Sequence, residues 1–389
     1  MKIGIDISQL NYEGTGVGNF TYNLVRNLLL ADKNNEYRLF YASLHKLNSP
    51  VLNDFEKLGA KVYRYPIPHK ALHFLWGDKN LVPIDLLIGK VDVMIFSDYL
   101  RPPTLYKTKG ITIIHDLIWK LFPEKQDQKT IKYHEIKIKK TIENGDVVIT
   151  DSECTKKDLI KLYPQIDEKR IQIIYPGIGD QFKKINDENK IVSVLKKYNV
   201  FGSNHQSLIT NHYLLYVGAV EPRKNLDIAI ETFHQLIKPP RFSDGESFPK
   251  PRRIDDFKFL IIGKAGWEKD KIYELVKNLH LEDKVKFIGF VPDSDLPYLY
   301  SGAKALVYLS SYEGFGLPPI EAASCGTPVL LYNNSSLSEL FKNGYPYAKK
   351  GGELSALKFL LENKIDTKKY LNQFSWKEYV ARLISILGN

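Results

Sequence analysis

Short runs rich in Ile, Val, Leu, Phe and Tyr alternate with longer amphipathic stretches along the whole chain, and this alternation constrains the fold more than any single motif. A run that is apolar at nearly every position has to be covered on both faces, which a parallel sheet with crossover helices achieves. In the first half the runs are Lys2 to Ile7, Arg38 to Tyr41, Val62 to Tyr65, Val91 to Phe96, Gly110 to Ile114, Asp146 to Thr150 and Ile171 to Ile174. In the second they are Tyr213 to Val217, Phe257 to Gly263, Val285 to Gly289, Ala305 to Tyr308 and Pro328 to Tyr332. A chain of 389 residues exceeds one ordinary core, since a domain holds about 100–200 residues. Two doubly wound α/β domains are therefore expected.

The first domain is expected over 1–180 and the second over 212–372. Between them, 181–211 reads as a linker region, because KKINDENK and FGSNHQS are polar and enclose one short helical pattern, Ile191 to Tyr198. Residues 238–256, KPPRFSDGESFPKPRRIDD, form a Pro-rich insertion longer than most connections. Residues 373–389 place Trp376, Tyr379, Leu383 and Leu387 at helical spacing, giving one amphipathic helix expected to pack back on the first domain.

The formal charge of +10 suits nucleic acid, an anionic membrane surface or a phosphorylated substrate alike. No helix-turn-helix, zinc-finger or aromatic ribonucleoprotein signature accompanies it, so no nucleic-acid partner is expected. The apolar runs fall far short of the roughly 18 residues of a membrane span. Asp6 interrupts what would be the core of a signal peptide. Cys154 and Cys325, far apart and without metal-ligand spacing, fit a reducing compartment. The expectation is a cytoplasmic protein. The basic stretch 129–142, KTIKYHEIKIKKTI, is a candidate for resting on the inner face of the membrane, with a solvated helix as the plainer reading.

The most informative segment is SSYEGFGLPPIEAASCGTPVL, Ser310 to Leu330. It leaves a strand, passes a glycine loop, starts a helix at Pro318 or Pro319 and ends it at Gly326, so the loop Glu313 to Leu317 can cradle phosphate oxygens at a helix N-terminus. Glu313 and Glu321 each offer a carboxylate able to accept two hydroxyls, although a loop acid and a first-turn acid would look the same. In GAVEPRKNL, Gly218 to Leu226, Arg223 and Lys224 could meet the charge of a diphosphate leaving group. One charge pair at about 4 Å and an effective dielectric near 20 is worth roughly 4 kcal/mol. A solvated basic turn is the plainer reading.

Gly14, Gly16, Val17 and Gly18 open a helix without the ending of a P-loop or the third glycine of a dinucleotide fingerprint. His115 and Asp116 end a buried-type strand. Gly263, Lys264 and Gly266 follow one strand and Phe290 and Val291 another, in the crevice where doubly wound sheets hold ligands, so a base is expected near Phe290 and Val291. Asp293-Ser-Asp295 matches a metal-binding pattern, but it precedes the helical LPYLYSGAKA, where an Asp is favoured as a cap.

Taken together, these segments resemble glycosyltransferase family 4, whose members have the GT-B fold of two Rossmann-like domains facing a central cleft. EGFGLPPIE, Glu313 to Glu321, is similar to the family's E-x7-E motif, and EPRKN to its E-x-R/K-K-N motif. HDLIWKLFPE and the glycine loop are similar to the family's equivalent segments. The resemblance implies that Glu313 contacts the donor sugar and Glu321 the ribose. Arg223 and Lys224, with Gly314, Phe315, Gly316 and Leu317, would hold the diphosphate. His115 would lie against the transferred sugar, and Asp116 with Gly14, Gly16, Val17 and Gly18 would face the acceptor. It also implies retention of configuration, a nucleotide-diphosphate sugar as co-substrate, and no metal or other cofactor. The segments read most like mannosyl-transferring members, so GDP-mannose is the expected donor and a glycan or lipid-linked saccharide the acceptor. A UDP-sugar transferase of the same family and a non-catalytic scaffold subunit are the alternatives.

Overall fold

The computed structural model describes residues 1–12, 14–200, 212–238, 257–264, 269–342 and 344–388. Gly266 and nearly all of the Pro-rich insertion lie outside them. Every expected apolar run is a strand, with ends within two residues of those expected. In the first half these are β1 Lys2–Asp6, β2 Glu36–Ala42, β3 Lys61–Tyr65, β4 Val93–Phe96, β5 Lys109–Ile114, β6 Val147–Thr150 and β7 Ile171–Ile173. In the second they are β8 Tyr213–Val217, β9 Lys258–Ile262, β10 Val285–Gly289, β11 Ala305–Tyr308 and β12 Val329–Leu331.

These strands build two parallel sheets, one of seven strands in the order β3-β2-β1-β4-β5-β6-β7 and one of five in the order β10-β9-β8-β11-β12. The chain divides into two compact units, Met1–Gly177 with Gln373–Asn389, and Ile178–Asn372. In each sheet the order reverses once among the central strands, at β1/β4 and at β8/β11. A crevice opens there beyond the strand carboxyl ends, because the connections leave in opposite directions.

In the first unit, alternate residues of the central strands face opposite layers, as strand geometry requires. Ile3, Ile5, Ile111 and Ile113 pack with Phe20, Leu24 and Leu28 of the helix Gly16–Ala31 and with Tyr379, Leu383 and Leu387 of the helix Trp376–Gly388. Phe40, Met94 and Phe96 face the other way, onto Trp76 and Leu72. The second unit has its own core around Leu214, Tyr216, Phe259, Ile261, Val307 and Leu330.

Two expectations change. Residues 178–200 belong to the second unit, and the helix Glu188–Lys197 within them buries Ile191 and Leu195 and packs on the helix Leu296–Ser301. Of the polar segments that suggested a linker, KKINDENK runs into the first turn of that helix and FGSNHQS lies outside the described residues. Nor is 129–142 a uniformly exposed basic surface. In the helix Gln128–Glu143, Lys137 and Lys140 are buried. Lys137 Nζ donates to the Ile113 carbonyl at 2.7 Å, and Lys140 Nζ to those of Trp76 at 2.5 Å and Arg101 at 3.2 Å. Lys129, Lys132 and Lys139 remain exposed, and Lys132 pairs with Asp78 at 2.5 Å. No helix among the described residues is long and apolar enough to cross a membrane.

Candidate active site

The second unit gathers most of the motif residues at its switch point. Beyond β8 the chain makes a one-turn helix, Pro222–Lys224, and Asn225 then takes the left-handed conformation at φ 48° and ψ 46°. Asn tolerates this region better than most residues. Its amide also anchors the turn, Nδ2 donating to the Leu309 carbonyl at 2.8 Å and to Ser311 Oγ at 2.7 Å. The Ser311 amide donates back to the Arg223 carbonyl at 2.8 Å. The β8 and β11 ends are thereby locked together, and both cations are aimed at the loop after β11.

Arg223, Lys224 and Glu313 meet there. Lys224 Nζ lies 2.5 Å from Glu313 Oε1 and 2.6 Å from Tyr308 Oη. Tyr308 Oη donates to Glu313 Oε1 at 3.0 Å, and Arg223 Nη1 lies 3.0 Å from Glu313 Oε2. Lys224 and Glu313 are both buried. Burial works to raise the Glu313 pKa, but Lys224 and Arg223 overcome it and hold the carboxyl at about 2. Arg223 Nε also lies 3.0 Å from Glu221 Oε2, so the two cations are held by two carboxylates, each cation being able to form charge-assisted hydrogen bonds to phosphate oxygens instead.

The loop itself is pinned from β12. The Glu313 amide donates to Ser335 Oγ at 3.0 Å, while Ser336 Oγ donates to the carbonyls of Glu313 at 2.9 Å and Phe315 at 2.7 Å. Ser335 sits at φ 43°, a conformation rare outside Gly, Asn and Asp and retained where surroundings impose it. Gly316, at φ 104°, is the N-cap of the helix Leu317–Ser324, and a Cβ there would come within 2.9 Å of Leu337 Cδ2. Pro318 and Pro319 occupy first-turn positions whose amides would have no partner inside the helix. Gly326, at φ 80°, follows the last turn.

The helix begins at Leu317, which puts Glu321 in its second turn, one turn beyond where the prolines suggested. Its Oε2 accepts from the Tyr300 hydroxyl at 3.0 Å. Burial of the carboxyl group, reinforced by the charge of Asp293, pushes its pKa up to about 8. Glu313 is thus held ionised while Glu321 is held protonated, by opposite surroundings.

At the ends of β9 and β10, Gly263 has φ 140°, and a Cβ on it would lie 2.0 Å from the Gly218 carbonyl oxygen. A pocket of about 160 Å³ opens beside it, lined by Val220, Gly263, Tyr273, Phe287 and Gly289 among others. Phe290 is 48% exposed and Val291 only 3%, so of these two expected base contacts only Phe290 presents a side chain. The Asp293-Ser-Asp295 segment is not built as a cap. Asp295 stands at a helix N-cap without a capping hydrogen bond, and its Oδ2 instead accepts from Lys197 Nζ and Tyr198 Oη, each at 2.6 Å.

The first unit carries the remaining motif residues. Thr15 caps the helix Gly16–Ala31 by accepting from the Gly18 amide at 3.2 Å. Gly14 has φ 70°, Val17 is 37% exposed, and a Cβ on Gly16 would point into open space. His115 follows β5 with its ring edge-on to Phe20, centroids 4.6 Å apart. Its Nδ1 lies 2.6 Å from Asp151 Oδ2, and its buried Nε2 has no hydrogen-bond partner among the described residues. Asp116 Oδ1 accepts from the Ile118 amide at 3.0 Å, so part of this carboxylate serves the short helix that follows.

Sequence reasoning missed Asp151, Tyr300, Tyr308 and the pair Ser335–Ser336. The tyrosines lie inside an apolar strand and an apolar helix that hide their hydroxyls. The polar run Asn333 to Ser336, directly after a strand, was a usable signal.

Two parallel doubly wound units, one holding paired cations and carboxylates at its switch point, define a GT-B glycosyltransferase. Residues 203–379 match the glycosyl transferases group 1 family, and the chain is similar to glycosyltransferases of the family 4 type. It is 27% identical over 353 residues to O-antigen chain mannosyltransferase B of Escherichia coli, covering 87% of this chain and 84% of that one. It is 30% identical over 254 residues to O-antigen chain mannosyltransferase RfbU of Salmonella typhimurium, covering 64% of this chain and 59% of that one. Among solved structures, Anabaena Alr3699/HepE in complex with UDP and glucose has the same fold, with TM-score 0.65, 17% identity, and coverage of 99% of this chain and 95% of that one.

Proposed function

We propose that the protein transfers mannose from GDP-mannose to a glycan or lipid-linked saccharide, with retention at the anomeric carbon and without a metal ion. The buried Lys224–Glu313–Arg223 network carries this reading, because it offers two fixed cations where a diphosphate leaving group gathers charge. The mannosyltransferase relatives support the choice of sugar.

In this reading Arg223 and Lys224 turn from Glu313 to the diphosphate as the donor binds. Glu313, released from part of its pairing, accepts hydrogen bonds from hydroxyls of the mannose, and Glu321 accepts those of the ribose. As the C1–O bond breaks, its electron pair moves to the departing phosphate oxygen. That oxygen takes the proton of the attacking acceptor hydroxyl on the same face of the sugar. His115, oriented by Asp151, holds the transferred sugar.

The test is a thermal-shift panel of GDP, GDP-mannose, UDP and UDP-glucose with EDTA present. A ligand at 100 times its Kd adds about 2.7 kcal/mol of stability. Stabilisation by the guanine nucleotides, lost in Arg223→Ala, is the expected result. A preference for UDP or UDP-glucose would replace the donor, a response that EDTA removes would overturn metal independence, and no response to any nucleotide would favour a non-catalytic subunit.

A further inference from the structure

Strands β5 and β6 are paired in register, Ile114 opposite Thr150, so the residues that follow them, His115 and Asp151, leave the sheet side by side. Asp151 Oδ2 takes the contact with His115 Nδ1 at 2.6 Å. Its other oxygen, Oδ1, is buried and has no hydrogen-bond partner among the described residues. A buried carboxylate oxygen left in that state is costly, and native proteins supply a donor to nearly all of them.

The donor that fits comes from the far end of the chain. Tyr379, in the helix Trp376–Gly388, is 1% exposed, and its hydroxyl likewise has no partner among the described residues. Its ring belongs to an aromatic group around Phe20, which lies 4.6 Å from His115, 5.4 Å from Trp376 and 5.8 Å from Tyr379 between ring centroids, edge-on in each case. His115 and Tyr379 therefore flank the same ring. Burial, and after it the charge of Asp151, raise the Tyr379 pKa well above its usual value. The hydroxyl thus keeps the proton it would donate, and Asp151 lies within electrostatic reach of it. A phenylalanine would fill the same apolar space without burying an oxygen, so packing alone does not account for a tyrosine here.

Where two buried polar atoms face one another beyond direct contact, a single water between them serves almost as well as a direct hydrogen bond. We infer that Tyr379 is a positioning residue for the transfer step: its hydroxyl donates through one bridging water to Asp151 Oδ1 and so fixes the carboxylate that orients His115. Hydroxyl, carboxylate and imidazole then form a chain in which each group sets the next, as in other buried polar networks. This rests on the transferase reading above and adds to its site a residue that lies in none of the sequence motifs.

NMR and steady-state kinetics on the full-length protein test it together. The downfield ring N–H proton of His115, recognised by its loss in His115→Gln, should shift in Tyr379→Phe. In the same variant kcat should fall about tenfold with GDP affinity unchanged, the outcome when a group near the sugar loses orientation but not identity. The matched control is Tyr37→Phe, which removes another buried tyrosine hydroxyl of the first unit, one that donates to Asp32 Oδ2 at 2.7 Å, and should change neither the resonance nor kcat. In an Asp151→Asn background Tyr379→Phe should have no further effect, because both changes break one chain of contacts. Should Tyr379→Phe fail to fold, 4-fluorophenylalanine at that position removes the donor at nearly the size of tyrosine. An unmoved resonance and kcat, the same losses in Tyr37→Phe, or an undiminished loss on top of Asp151→Asn would overturn the inference. If the wild type transfers no sugar from any nucleotide donor, the transferase reading fails, and the resonance alone then decides whether Tyr379 fixes the Asp151–His115 pair.

Discussion

Replacing Glu321 by Gln should remove a pH dependence from donor binding. In the unliganded protein, burial and the charge of Asp293 raise this carboxyl to about 8, against the opposing hydrogen bond from Tyr300. A carboxylate that accepts both ribose hydroxyls has to be ionised, so binding must first remove its proton. Each pH unit below the raised value costs about 1.4 kcal/mol, or tenfold in affinity. The affinity for GDP-mannose, whose diphosphate diester does not titrate near neutrality, should therefore rise about a hundredfold from about pH 6 to about pH 8 and then flatten. Calorimetry in buffers of different ionisation enthalpy reads both the affinity and the released proton. The unliganded protein responds in the opposite sense. An acid whose pKa is raised on folding contributes stability that is full below its unfolded value of 4.5 and lost as pH rises through about 8. Glu321→Gln should show neither the affinity slope nor the proton release. A wild-type affinity that stays flat over this range, or a variant with the same slope, would refute the assignment of Glu321 to the ribose.

Two further outcomes follow from buried polar contacts in the first unit. Arg101 meets Asp146 through Nε to Oδ2 at 2.7 Å and Nη2 to Oδ1 at 2.6 Å, with both side chains almost fully buried. Arg101→Leu leaves that carboxylate unpaired and should lower unfolding stability by about 3–5 kcal/mol, read from denaturant melts. Asp151→Asn should lower kcat by up to about a hundredfold through misplacement of His115. GDP affinity in that variant should be unchanged, and an equal loss of nucleotide binding would mean that Asp151 is merely structural.

The fold was legible because parallel strands buried on both faces leave an apolar signature that local reading detects, as β4 and β11 show. Boundaries were less so: the second unit begins with a polar-faced helix around Ile191 and Leu195, whose two buried side chains are a weak signal in a charged stretch. The E-x7-E spacing located the loop after β11, but not the opposite protonation tendencies of its two acids. Those depend on Lys224 and Arg223 in one case and on burial reinforced by Asp293 in the other, surroundings that only tertiary structure creates. The inward turn of Lys137 and Lys140 was hidden for the same reason, since composition reports charge and not which way a side chain points.

The first unit is assembled from two separated stretches of chain, whereas the second is one uninterrupted stretch, Ile178–Asn372. A ribosome therefore finishes all seven strands of the first sheet long before it makes Tyr379, Val380 and Leu383, which cover the helix bearing Phe20 and Leu24. The later-made unit has every part it needs before the earlier one does. Order of completion thus reverses order of synthesis, and the waiting surface around Phe20 and Leu24 is where a nascent or truncated chain would be most open to misassociation.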